Sequence, residues 1–160
     1  MDSTTKQKNY YNIDKEFFFI DSNNLDSVKT RFYGYSIQDT GIYEEDNLDE
    51  QAVAGLDGCG CYIYVKADDN EITIQQDFNG SYGIYLYETG GGYFALSNSF
   101  YILAEHIKED HALTLNKDYC NHILCDPLAS LSYQETPVCE IKLIDKDLDM
   151  VISNNTIQYR

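Results

Sequence analysis

The chain has 160 residues, enough for one domain with a core of its own, and 43% of them are hydrophobic, which excludes a disordered polymer. Acidic residues number 27 against 11 basic ones, and the net charge of −16 argues against nucleic-acid backbones and anionic membranes as partners. Five cysteines at irregular spacing argue against a disulfide framework and for a reducing cytoplasm.

Residues 1–14 read as a flexible polar leader and residues 15–160 as a single domain. The opening Met1-Asp2-Ser3-Thr4-Thr5-Lys6 carries no secretory signal, and Phe17-Phe18-Phe19-Ile20 is too short to span a bilayer, so no membrane insertion is expected. Glu16 to Ile20 and Arg31 to Ile37 are short β-prone runs separated by the turn signal Asp21-Ser22-Asn23-Asn24. After the acidic stretch Glu44 to Glu50, Asn47 is placed to cap a short helix ending near Gly55. Cys61 to Lys66 and Glu71 to Gln76 form a hairpin around Ala67 to Asn70, and Ser81 to Tyr87 and Tyr93 to Leu96 form a second around Glu88 to Gly92.

Ser97 or Asn98 is then positioned to cap a helix through Phe100, Leu103, Ala104 and Ile107, apolar residues three and four apart. A further helix is expected from Lys117 to Leu124, before Pro127. The chain closes with strands at Val138 to Ile144, Met150 to Ile152 and Thr156 to Tyr159.

Several clusters invite chemistry and each has a plainer explanation. Cys59-Gly60-Cys61 and Cys120 to Cys125 suggest zinc, but a Cys-x-Cys pair in a strand sends both thiols to one face, and no turn glycine follows Cys125. Asp145-Lys146-Asp147-Leu148-Asp149 imitates a calcium loop but has Met150 at the sixth place, where glycine is needed, and Thr156 at the twelfth, where glutamate is needed. Gly90-Gly91-Gly92 leads into a strand and lacks the lysine of a phosphate loop. His106, His111 and His122 form no triad pattern with a serine, and no metal or cofactor is expected. Asp57 and Asp77 are both candidates for an acid pair, with nothing in the sequence to set their separation.

The segments Leu56-Asp57-Gly58, Asp77-Phe78-Asn79-Gly80, Ile84-Tyr85-Leu86-Tyr87 and Phe94-Ala95-Leu96-Ser97 occur in an order that resembles the glutaminase domain of asparagine-synthetase-like enzymes. The resemblance covers roughly residues 55 to 160. It implies an α+β fold, a reduced sandwich of stacked antiparallel sheets with helices outside, as in N-terminal-nucleophile hydrolases. It also implies that Asp57 corresponds to the carboxylate that holds the ammonium group of glutamine, while Asp77 and Gly80 fix a turn. The family's nucleophile is a cysteine directly after the initiator methionine, where this chain has Asp2, a poor nucleophile toward an amide. The Arg-Leu-Ser and Asn-Gly-Glu segments that grip glutamine are absent, so no catalytic residue is assigned.

The leading expectation is a non-catalytic glutaminase-like domain at the N-terminal end of a bacterial amide-forming enzyme. Its partner would be a synthetase-type domain in the same chain, with a homodimer left open. A carbohydrate-binding accessory domain of a sugar-transferring enzyme, using tyrosine faces, is the second reading. A glutamine hydrolase with an unrecognised nucleophile is the third.

Overall fold

The run Tyr62-Ile63-Tyr64-Val65 is buried on both faces, which is what an unbroken apolar stretch of aromatic and β-branched residues requires. It lies in β4 (Gly60–Asp68), a central strand flanked by β2 (Arg31–Gln38) and β5 (Glu71–Gln76). The computed structural model describes residues 17–126 and 135–160, so the expected leader lies outside the described residues. Around β4 a six-stranded antiparallel sheet is ordered β10-β9-β5-β4-β2-β3, where β3 is Gly41–Tyr43, β9 Met150–Ser153 and β10 Thr156–Tyr159. Its hairpins close tightly. Asp68 pairs with Glu71, and the β9–β10 turn holds Asn154 and Asn155 at φ 48° and 57°, the left-handed pair of a tight hairpin turn.

A second antiparallel sheet has the order β1-β7-β6-β8, made of Phe19–Asp21, Phe94–Ser97, Tyr85–Glu88 and Ile141–Leu143. Ile20, Leu86 and Leu96 of this sheet join Ile63, Ile74 and Ile152 of the larger one in a single core cluster, so the sheets face each other. At Gly34, with φ 90°, a Cβ would sit 2.0 Å from the Cys61 carbonyl oxygen, so glycine lets β2 lie this close to β4.

Helices cover the outer faces. Leu103 and Ile107 of α2 (Phe100–Ile107) pack on Tyr87, Ala95 and Ile141 behind the smaller sheet. Behind the larger sheet, Leu48, Val53 and Leu56, around α1 (Glu50–Ala54), cover Phe32, Tyr62 and Tyr64. A third helix, α3, runs Lys117–Cys125. The described residues are thus α+β, two stacked antiparallel sheets with helical segments outside, as the sequence leads one to expect at that level.

Local differences have local causes. Asn47 ends a 3-10 turn and bonds Glu44 and Ile42, and it is Asp49 that caps α1 by accepting from the Ala52 amide at 2.8 Å. Ser97 and Asn98 do not cap α2, because both hold Phe18: the Ser97 hydroxyl donates to its carbonyl at 2.6 Å and Asn98 Oδ1 accepts from its amide at 2.9 Å. Ser99 is the cap instead. The β6 strand starts only at Tyr85 because Ser81 is drawn into the Asp77 turn. The β8 strand starts only at Ile141 because the Thr136 hydroxyl lies 2.8 and 2.7 Å from the Val138 and Ile141 carbonyl oxygens and holds the chain in a turn.

Candidate functional site

Two adjoining turns organise the end of the larger sheet. In the first, Asp57 Oδ1 accepts from the Cys59 amide at 3.0 Å, and the Tyr62 hydroxyl accepts from the Gly58 amide at 3.1 Å. In the second, Asp77 is 0% exposed, and its carboxylate accepts from the amides of Tyr62, Asn79 and Ser81 at 3.2, 3.0 and 3.0 Å and from the Ser81 hydroxyl at 2.9 Å. The turns are joined where the Phe78 amide donates to the Gly58 carbonyl at 2.7 Å. Gly80 follows at φ 60°, where a Cβ would come within 2.6 Å of Lys146 Cβ.

Asp57 and Asp77 therefore lie in neighbouring turns but in opposite environments. Asp77 is sealed and its oxygens are occupied, whereas Asp57 is exposed. That separates the two roles: Asp77 meets only its own chain, and Asp57 faces a cavity of about 570 Å³.

The cavity gathers Asp57, Asp39 from the β2–β3 turn and the helix cap Asp49, together with Gln38, Thr40 and Cys59. Among the described residues no lysine, arginine or histidine lines it. The Asp57 carboxylate pushes the Cys59 thiol above its ordinary value, chiefly by repelling the negative thiolate. Cys59 is therefore kept as a thiol, the reverse of what an activated nucleophile needs. The Thr40 hydroxyl pairs with the Tyr43 hydroxyl at 2.8 Å rather than with a base. Asp39 and Asp49 escaped sequence reasoning because strand pairing and a helix cap, not proximity in sequence, bring them to Asp57.

A second polar group lies on the far side of the smaller sheet. Asp21, 6% exposed, has the Tyr93 hydroxyl at 3.4 Å and His106 Nε2 at 3.5 Å from Oδ2. Burial first, and then the Asp21 charge, push the Tyr93 hydroxyl up to about 12, so it stays protonated and donates to the carboxylate. His106 packs at a tilt against Phe19 with ring centres 4.3 Å apart, and His111 stacks on Tyr93 at 5.5 Å. No sequence signal links these residues, which are far apart along the chain.

The remaining motifs are structural in their contacts. All five cysteines are free, and among the described residues no group of three or more His, Cys, Asp or Glu side chains is placed to hold a metal. In the 145–149 turn, Asp145 Oδ1 accepts from the Asp147 amide at 3.2 Å, and Lys146 Nζ lies 5.3 Å from the centre of the Phe78 ring. Gly92 donates to the Thr89 carbonyl in the β6–β7 turn. Tyr33, Tyr62, Tyr64 and Tyr87 are buried, and the more exposed Tyr35, Tyr101 and Tyr159 sit on three different elements. No described helix is long and apolar enough to cross a membrane. No protein-family model, curated protein or solved structure matches the chain.

Proposed function

We propose that this chain is a glutaminase-like module without glutaminase chemistry, serving an asparagine-synthetase-like amide-forming enzyme in a structural or assembly role. One observation carries the reading. The cavity faced by Asp57, the residue that resembles the family's ammonium-binding carboxylate, contains three carboxylates and a thiol held in its protonated form. Such a site suits a cationic group and is ill suited to attack an amide. The stacked antiparallel sheets with helical segments outside are consistent with a sandwich of the N-terminal-nucleophile type. Five free thiols suit a reducing cytoplasm.

In such an assembly the amine is delivered directly, not released from glutamine, so the module can lose its nucleophile and keep its fold. The test is to read the gene past Arg160, express the whole frame and assay amide formation with free amine or glutamine as donor. A Ser-Gly-Gly-x-Asp-Ser pyrophosphate loop and activity with free amine alone are expected. A stop codon at 161, or ammonia release from glutamine, would falsify the reading.

A further inference from the structure

The inner face of the larger sheet extends beyond the smaller sheet that covers it. Tyr33 lies within the inter-sheet core, but Tyr35 and Ile37, two and four residues on and therefore on the same face, are 41% and 48% exposed. Ile42, paired directly with Ile37 across the β2–β3 hairpin, is 61% exposed. Three large apolar side chains thus form one patch at the sheet's edge that no described residue covers. Strand addition does not explain it, because Asn47 Nδ2 already bonds the outward Ile42 carbonyl at 3.2 Å.

Ile37 is the patch residue that also lines the acidic cavity, whose Gln38, Gln51 and Ala52 lie on the α1 side of the sheet, so patch and cavity meet around the sheet's edge. Among the described residues no cation lines that space, so the three carboxylates, Asp39, Asp49 and Asp57, meet no described positive side chain there. A second copy of this chain would bring another net charge of −16 to the contact, which disfavours self-association.

We propose that this edge docks a basic partner protein, whose apolar side chains cover Tyr35, Ile37 and Ile42 while a lysine or arginine enters the acidic cavity. The proposal goes beyond the preceding reading, since the partner need not be a synthetase-type domain. An apolar anchor beside a complementary charge gives both affinity and orientation.

The probe is a set of amidated pentapeptides with arginine or lysine between isoleucine, leucine or tyrosine, and the same set with glutamate as the central residue. Amide shifts of the isotopically labelled protein are followed during titration. Saturable shifts at Ile37, Ile42 and Asp57 are expected with the basic peptides only. Ile42→Ser, or Asp39→Asn with Asp57→Asn, should each weaken binding about tenfold. These positions are exposed, and an unchanged amide fingerprint elsewhere verifies that the variants fold. Three outcomes overturn the proposal: no saturable shift with any basic peptide, shifts spread over the acidic surface that ignore Ile42→Ser, or concentration-dependent shifts at the patch without peptide, which mean a second copy covers it.

Discussion

Asp77 shows how one side chain replaces a length of secondary structure. Its carboxylate accepts three backbone amides and one hydroxyl while fully buried, so the Tyr62 amide at the start of the sheet and the loop through Ser81 depend on it. Asp77→Ala leaves buried donors without acceptors and should cost on the order of 3 kcal/mol in urea unfolding, with Asp77→Asn costing less because its oxygen still accepts. A variant within about 0.5 kcal/mol of the wild type would mean water or a loop shift takes over those bonds. Both turns were legible in the sequence as turns, because Asp77 with Gly80 and Asp57 with Gly58 each lie within one local motif. Tyr93 was not, since its carboxylate partner lies 72 residues away. The hydroxyl is raised to about 12, above the value near 10 of an unfolded tyrosine, so the folded state keeps the proton longer. The associated stability is intact below about pH 10 and is lost as pH rises toward about 12. Tyr93→Phe should flatten the fall of the urea midpoint across that window, leaving a residual slope from the raised Tyr62, Tyr64 and Tyr85. An equal slope in both proteins would assign the alkaline loss to other groups.

At the scale of elements, α2 is held by burial far more than by its cap. The Ser99 cap bond to the Ile102 amide is long, 3.4 Å, while Leu103 is fully buried against the smaller sheet. Leu103→Ala should therefore cost about 3 kcal/mol against less than about 1 for Ser99→Ala, read from the same denaturation curves. The reverse order would place the helix's stability in its first turn. The same contrast explains which elements were legible. The strands around β4 and the spacing of Phe100, Leu103, Ala104 and Ile107 are periodic, and burial alone selects the structure that satisfies such a pattern. Element ends were less legible because capping groups have competing partners. Ser97 and Asn98 are good caps in isolation, yet both bond Phe18, about 80 residues earlier in the chain. Ser81 likewise belongs by propensity to the next strand, and the buried Asp77 carboxylate takes it. The cavity was the least legible feature, since its carboxylates come from a hairpin turn, a helix cap and a strand entrance that only the folded sheet brings together.

At the scale of the whole molecule, charge opposes the packing that holds the sheets together. Four ion pairs, Arg31–Glu45, Lys66–Asp68, Lys108–Glu105 and Arg160–Glu71, occupy lysine or arginine side chains among the described residues, and all lie at the surface. Exposed pairs of this kind contribute little, at most about 1 kcal/mol each, and salt weakens them. The remaining acidic surface repels itself, because the chain carries a net charge of −16. Screening that repulsion should outweigh the loss of the pairs. Raising sodium chloride from about 0.02 to about 0.5 M shortens the screening length several-fold and should raise the thermal midpoint by roughly 3–5 °C. Potassium chloride at the same ionic strength should act equally, since screening depends on charge and not on ion identity. A midpoint that falls with salt would mean the ion pairs dominate, and the acidic surface would then have to be locally compensated instead of self-repelling. A rise that also tracks the binding of a basic partner would show that the uncompensated carboxylates are a cost of the free state, relieved either by salt or by docking.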